Sequence, residues 1–83
     1  MNEISVFGKP GCYQCKYTTK AFDKLNVSYN YIDMSIDLAA EQRVKDLGFN
    51  AIPVVVTKHD KWAGFRPDKI QEEAKIWLQD NHH

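Results

Sequence analysis

Two cysteines, Cys12 and Cys15, are separated by only two residues. At this spacing two thiols on the first turn of a helix can close a disulfide, and the first thiol lies among backbone N–H groups that have no partner within the helix. Those donors and the helix dipole favour the thiolate, which brings the pKa of the first cysteine of such a motif to ~7 or below. We predict a redox-active disulfide in which Cys12 is the attacking nucleophile and Cys15 is the resolving thiol.

The neighbours of the cysteines indicate contacts with a substrate. Tyr13 lies between the cysteines in a motif that must be open to substrate, so we predict that it is a contact residue and not part of the core. Lys9 comes shortly before Cys12 and either adds a positive charge beside the thiolate or is a solvated loop lysine.

A metal site is another use for a pair of cysteines. A tetrahedral structural site needs four ligands, but the chain offers two cysteines and, apart from the two histidines at its end, only His59. We therefore expect no metal site within the chain and no bound cofactor. A metal ion or iron–sulfur cluster shared between two copies through Cys12 stays open as an alternative.

The elements that position the cysteines follow from the spacing of apolar residues. Apolar and polar residues alternate over 4–7, which predicts a strand that leads into the motif, and a spacing of three and four residues after Cys12 predicts a helix. A continuous apolar run at 53–57 is typical of a strand buried on both faces. The sequence predicts strands at 4–7, 27–32, 53–57 and 61–65 and helices at 12–25, 38–47 and 68–79.

This βαβαββα order predicts an α/β fold with a four-stranded mixed sheet and helices on both faces. A β-α-β start requires a parallel pair with a right-handed crossover, whereas the short link between the last two strands requires an antiparallel hairpin. Gly48 follows the last apolar position of the second helix, where a left-handed cap is expected. The charged run of Gln71-Glu72-Glu73 and Lys75 is expected to be a solvated face of the last helix.

A proline at the start of the apolar strand gives a second candidate site. Pro53 lacks the N–H that a strand residue donates, which suggests an exposed backbone edge at Ile52-Pro53. If this peptide bond is cis, the N–H and C=O of Ile52 can pair with an extended segment of a substrate protein. An ordinary trans proline is the alternative, and the sequence alone leaves both open.

Size and charge exclude several functions. With 83 residues the chain has room for one compact domain, and its 11 basic and 11 acidic residues give no net charge, so no global field draws it to nucleic acid or to a membrane. It has neither a signal-peptide pattern nor an apolar run of membrane-spanning length. We expect a cytoplasmic monomer, in which the cysteines are kept reduced and serve redox chemistry. His82 and His83 are set apart as the remnant of an affinity tag.

Three features together resemble the glutaredoxin branch of the thioredoxin-like superfamily: the C-x-x-C motif after strand one, the Ile52-Pro53 pair before strand three and the βαβαββα order. Within that branch the chain is similar to the NrdH-redoxins, which are marked by a C-x-Q-C motif and a Trp-x-Gly-Phe-x-Pro stretch. Here these motifs are Cys12-Tyr13-Gln14-Cys15 and Trp62-Ala63-Gly64-Phe65-Arg66-Pro67-Asp68.

This resemblance implies a thioredoxin-like (glutaredoxin-like) fold and a specific redox role. The chain is expected to donate electrons to a class Ib ribonucleotide reductase and to be re-reduced by thioredoxin reductase, so that NADPH is used indirectly and glutathione is not the reductant. The resemblance also implies a cis bond before Pro53. The residues expected to contact substrate or partner are Lys9, Tyr13, Gln14, Ile52, Pro53, Trp62, Gly64, Phe65, Arg66 and Asp68.

The chain departs from ordinary glutaredoxins, which resemble one another in a Cys-Pro-Tyr-Cys motif, a Thr-Val-Pro segment and a double glycine before the last helix. Phe65 replaces the second glycine and is expected to narrow a glutathione groove. Asp68 keeps an acid where glutaredoxins can hold the amino group of glutathione, so a glutathione-dependent glutaredoxin remains the alternative, although we favour a helix cap. Trp62 either presents its ring to a partner or packs in the sheet, and Arg66 is expected to anchor this region through hydrogen bonds.

Overall fold

The computed structural model describes residues 3–80, and His82 and His83 lie outside the described residues. The elements follow one another in the predicted order βαβαββα. Their bounds are β1 Ser5–Gly8, α1 Tyr13–Lys24, β2 Asn30–Asp33, α2 Leu38–Asp46, β3 Val54–Val56, β4 Lys61–Ala63 and α3 Pro67–Asp80.

The four strands form one mixed sheet in the order β2-β1-β3-β4. β1 pairs in parallel with β2 and antiparallel with β3, and β3 pairs antiparallel with β4. The predicted combination of a parallel pair and a terminal hairpin is therefore confirmed. Within residues 3–80, none of the helices has the length and apolar character that a bilayer-spanning helix needs.

Alternate strand residues face two separate cores, because successive side chains of a strand point to opposite faces of the sheet. One core lies under α1 and α3 and contains Ile4, Val6, Phe22, Val27, Val55, Trp62, Ile70 and Ala74. The other lies under α2 and contains Phe7, Met34, Ala40, Val44 and Val54. Each large side chain buried in this way contributes about 1.5–3 kcal/mol relative to exposure. The prediction of helices on both faces is confirmed.

The second strand begins later than the sequence predicts. Asn26 adopts a left-handed conformation with φ 58°, and the N–H of Val27 returns to the carbonyl of Phe22 at 3.1 Å. This turn closes the end of α1, so pairing with β1 starts only at Asn30. Gly48 has φ 91° directly after the second helix, which confirms the predicted left-handed cap.

The register brings three separated loops to one edge of the sheet. Phe7, the residue before the last of β1, pairs with Val54 at the start of β3, and Val54 in turn pairs with Ala63 at the end of β4. The segments that continue from these positions are the cysteine loop, the Ile52-Pro53 bond and the loop before α3. They therefore meet at the same edge, although they lie far apart in the sequence.

Candidate functional site

Cys12 and Cys15 form a disulfide at the start of α1. Cys12 is the residue that caps the helix, and its Sγ accepts a hydrogen bond of 3.1 Å from the backbone N–H of Cys15. This donor points at the sulfur that becomes the attacking thiolate in the reduced protein, so it stabilises negative charge on Cys12. Cys12 is half-buried whereas only 2% of Cys15 is exposed, which leaves Cys12 as the sulfur that an incoming thiol or disulfide can reach.

A groove of about 560 Å³ runs beside the disulfide, between the cysteine loop and β2. Lys9, Tyr13, Lys16 and Tyr31 line it together with the cysteines. The side chain of Tyr13 is 75% exposed, as expected for a residue that must be open to substrate. Tyr31 was not among the predicted site residues, because its position in an alternating strand gives no sign of what its hydroxyl contacts.

Gln14 joins the cysteine motif to the loop before α3. Its Oε1 accepts a hydrogen bond of 3.1 Å from the backbone N–H of Phe65, and the ring of Phe65 lies 5.9 Å from that of Tyr17 on α1. Gly64 has φ 85°, a conformation that other residues adopt only with strain, and its N–H donates to the carbonyl of Pro53 at 2.7 Å. These two hydrogen bonds, one to a side chain and one to a backbone carbonyl, link the three loops.

The Ile52-Pro53 peptide bond is cis, as the family resemblance implies. Pro53 is buried, and the side chain of Ile52 packs against the core under α2. The structure thus brings this pair to the same edge as the disulfide, with the Ile52 side chain turned towards the protein.

Lys9, in the cysteine loop, forms an ion pair with Glu41 on α2. Its Nζ lies 3.3 Å from Oε2 of Glu41 on α2, and Glu41 also contacts Lys45 at 3.4 Å. The hydrogen bond from Lys9, together with that from Lys45, holds the pKa of the Glu41 carboxyl below its usual value. Lys9 therefore anchors its loop to α2 while it borders the groove, which favours the loop-lysine interpretation over a charge dedicated to Cys12.

Comparison with known proteins decides the family. A sequence model of the family described as Glutaredoxin matches residues 4–62. The chain belongs to the glutaredoxin family. Within it the chain is NrdH-like: it is 30% identical over 67 residues to the glutaredoxin-like protein NrdH of Escherichia coli K12, covering 81% of this chain and 83% of that protein. It is 28% identical over 71 residues to NrdH of Lactococcus lactis subsp. cremoris, covering 86% of this chain and 99% of that protein.

A solved structure supports the same assignment. The NrdH-redoxin of Escherichia coli superposes with a TM-score of 0.83 at 28% identity, covering 84% of this chain and 92% of that one. The glutaredoxin-like form of the thioredoxin-like fold is therefore confirmed. That relative is described as a glutaredoxin-like protein with a thioredoxin-like activity profile.

In this member of the glutaredoxin family Trp62 lies in the core. Only 4% of its surface is exposed, and it packs under α1 and α3 with side chains that include Phe22 and Ile70. Of the two alternatives that the sequence left open for Trp62, this placement favours packing in the sheet over presentation of its ring to a partner. On β4, Trp62 pairs with Val55 and its side chain points to the face of the sheet that α1 and α3 cover. Phe65 is then the aromatic residue of the segment 62–68 that lies near the disulfide.

Arg66 and Asp68 form a two-pronged ion pair at the start of α3. Nε of Arg66 lies 3.1 Å from Oδ1 of Asp68, and Nη2 lies 2.9 Å from Oδ2. The guanidinium holds the pKa of the Asp68 carboxyl below its usual value. Asp68 is the second residue of α3, so it does not occupy the cap position that we favoured, and its carboxylate is engaged by Arg66. Arg66 thus makes the hydrogen bonds that we predicted for it, and their acceptor is Asp68.

Metal ligands do not converge within the described chain. Among residues 3–80, no group of three or more histidine, cysteine, aspartate or glutamate side chains comes together in an arrangement that holds a metal ion. The chemistry that the site offers is that of the Cys12–Cys15 pair.

Proposed function

We propose that this NrdH-like redox protein donates electrons to a class Ib ribonucleotide reductase and is re-reduced by thioredoxin reductase at the expense of NADPH. The observation that carries the proposal is the disulfide at the start of α1, with half-exposed Cys12 and buried Cys15, next to a loop that Gln14 holds in place. The NrdH names of the relatives support the choice of partner. On this proposal the chain works as a single-domain monomer in the cytoplasm.

The proposed reaction is a dithiol–disulfide exchange. The thiolate of Cys12 attacks one sulfur of the substrate disulfide, and the other substrate sulfur leaves as a thiolate that takes a proton from water. The thiol of Cys15 then gives its proton to solvent and attacks Sγ of Cys12, so that the Cys12–Cys15 bond forms and the mixed disulfide breaks. The second substrate sulfur also leaves as a thiolate, and both substrate sulfurs take their protons from water. Two electrons pass from the protein to the substrate in one cycle.

The loop before α3 argues for a protein partner over glutathione. A tripeptide bound along this loop needs free backbone donors and a close approach to the chain. The N–H of Phe65 is already bonded to Gln14, the Phe65 side chain fills the place of a glycine, and the carboxylate of Asp68 is paired with Arg66. Three groups that would contact glutathione are thus engaged or obstructed, whereas Tyr13 beside the disulfide remains exposed.

Parallel reduction assays test the choice of reductant. The oxidised protein is coupled to a class Ib ribonucleotide reductase, with NADPH and thioredoxin reductase in one arm and NADPH, glutathione and glutathione reductase in the other. We expect turnover in the first arm. Turnover confined to the glutathione arm would instead identify a glutathione-dependent glutaredoxin, and failure in both arms would exclude the proposed acceptor.

Cysteine variants test the assigned roles in the same assay. Cys12→Ser should abolish turnover because the attacking sulfur is gone. Cys15→Ser should still form the first bond and accumulate a mixed disulfide with the substrate, visible as a mass shift that dithiothreitol reverses. Turnover by Cys12→Ser would show that the nucleophile is wrongly assigned.

A further inference from the structure

Gly8 lies beside two polar atoms, the hydroxyl oxygen of Tyr31 on β2 and the sulfur of Cys15 on α1. A Cβ atom added to this last residue of β1 would lie 2.6 Å from Oη of Tyr31 and 2.8 Å from Sγ of Cys15. Real Cβ atoms do not approach other atoms so closely, so a larger residue here would displace the phenol of Tyr31 or the sulfur of Cys15. The phenol oxygen and the sulfur therefore border the same small space beside Gly8, which a methyl group would fill.

Tyr31 reaches this position from β2. It pairs with Val6 of β1 in the parallel ladder, and its side chain is 46% exposed along the groove that leads to the disulfide. Within residues 3–80, its hydroxyl forms no hydrogen bond to the protein. Burial, helped by the charge of Asp33, raises the pKa of Tyr31 above its usual value, so the hydroxyl keeps its proton at neutral pH.

The two sulfurs of the site differ in the donors that they receive. The backbone N–H of Cys15 serves the sulfur of Cys12 at 3.1 Å. The sulfur of Cys15 receives no hydrogen bond in the described part of the chain and is almost fully buried, where a negative charge is costly without a donor. Each cycle nevertheless requires Cys15 to become a thiolate.

We propose that the Tyr31 hydroxyl donates a hydrogen bond to Sγ of Cys15 whenever that sulfur is a thiolate. The inference rests on the dithiol exchange of the proposed function and deepens it. During oxidation, Cys15 loses its proton to water, the thiolate held by Tyr31 attacks Sγ of Cys12, and the substrate sulfur of the mixed disulfide leaves as a thiolate. During re-reduction, an external thiolate attacks Sγ of Cys12, the Cys12–Cys15 bond breaks, and Cys15 leaves as a thiolate that Tyr31 stabilises. Tyr31 keeps its own proton in both directions.

The charged groups around the groove stay the same when only the hydroxyl is removed. Lys9 and Lys16 border the groove, and Lys9 is paired with Glu41 on α2. Asp33 at the end of β2 accepts hydrogen bonds from Ser35. Tyr31→Phe leaves all of these in place, so a change in the titration of Cys15 in that variant reports on the hydroxyl itself.

The first test measures the pKa of Cys15 in a Cys12→Ser background, from its ¹³Cβ chemical shift as a function of pH. Tyr31→Phe should raise this pKa by about one unit, a tenfold change in ionisation, because a hydrogen bond to a charged group is lost. Tyr29→Phe is the matched control, since the Tyr29 hydroxyl bonds to Asp23 at 2.9 Å. It should leave the pKa unchanged. An unchanged pKa in Tyr31→Phe would overturn the proposal.

The second test measures how fast dithiothreitol reduces the Cys12–Cys15 disulfide of the otherwise unaltered chain at neutral pH. Tyr31→Phe should slow the reaction several-fold, because a leaving thiol of higher pKa departs more slowly. Equal rates with and without the hydroxyl would contradict its role towards the leaving sulfur. Neither test uses a protein partner, so both results stand even if the chain fails to reduce a ribonucleotide reductase.

Discussion

At the scale of single residues, the two cysteines have the same side chain but different surroundings. The sulfur of Cys12 caps α1 and is half-buried, whereas the sulfur of Cys15 lies beneath it among Gly8 and Tyr31. A helix N-terminus stabilises a thiolate at the first position, and burial opposes one at the second. The roles of attacking and resolving sulfur follow from this difference.

The difference predicts selective alkylation of the reduced protein. Iodoacetamide at neutral pH should modify Cys12 faster than Cys15, on the order of tenfold or more, because reactivity follows thiolate character and access. Peptide mass spectrometry of samples quenched at short times measures the two rates. Urea-unfolded protein is the control and should show nearly equal rates. Preferential modification of Cys15 in the folded chain would contradict the assignment.

The hydrogen bond from Phe65 to Gln14 gives a second prediction at this scale. Gln14→Ala removes the acceptor and should speed hydrogen exchange of the Phe65 amide about fivefold, which corresponds to a bond worth about 1 kcal/mol. Gln14→Glu is the control, because its carboxylate still accepts the bond and should preserve protection. The measurement is amide exchange followed by NMR. Unchanged exchange in Gln14→Ala would show that this bond does not hold the loop in solution.

Some site residues were predictable from the sequence and others were not. The roles considered for Cys12 and Cys15 come from spacing and from the helix that must follow, which are local properties. Trp62 was ambiguous because a strand of three residues gives too little alternation to say which face is covered. Tyr31 could not be found at all, since its hydroxyl reaches the space beside Gly8 and Cys15 only once β2 has paired with β1.

At the scale of elements, the β3–β4 hairpin is fastened to α3. The hydroxyl of Thr57 donates to Oε1 of Glu73 at 2.8 Å, and it accepts from the N–H groups of His59 and Asp60 in the turn. Only 2% of Glu73 is exposed, so the expectation that the whole run at 71–75 is solvated is wrong. The charge pattern of α3 does not show that the turn between β3 and β4 places the Thr57 hydroxyl against Glu73.

This fastening predicts a large difference between adjacent glutamates. Glu73→Ala should lower the free energy of unfolding by about 1–3 kcal/mol, because the half-buried Thr57 hydroxyl loses the shorter of its two hydrogen bonds to acceptors. Glu72→Ala changes an exposed position of the same helix and should stay within about 0.5 kcal/mol of the parent. Urea denaturation of the oxidised proteins measures both values. Equal effects of the two substitutions would contradict the role assigned to Glu73.

At the scale of the whole molecule, ionisation couples folding to pH in two opposite ways. Hydrogen-bonding partners lower the pKa values of four carboxyls, namely Ser35 for Asp33, Lys9 for Glu41, Lys69 for Asp60 and Arg66 for Asp68. The stability that these four carboxylates contribute is fully present at a pH above their pKa in the unfolded chain, which is about 4. It is lost as the pH falls through their lower pKa values in the folded chain. Burial raises the pKa values of Tyr29 and Tyr31 in the folded chain. Their contribution to folding stability is therefore present at a pH below their unfolded pKa of about 10, and it is lost as the pH rises through their folded pKa values.

The urea midpoint of the oxidised protein should therefore be nearly constant from pH ~5 to ~9 and should fall both below pH ~4 and above pH ~10. The double variant Tyr29→Phe/Tyr31→Phe separates the acid and alkaline parts of the profile, because it removes both phenol hydroxyls and leaves every carboxyl in place. Its midpoint should fall as steeply in acid as that of the parent but less steeply in alkali. Circular dichroism in urea at each pH measures the midpoints. An alkaline limb equally steep in the double variant would mean that groups other than Tyr29 and Tyr31 control unfolding there.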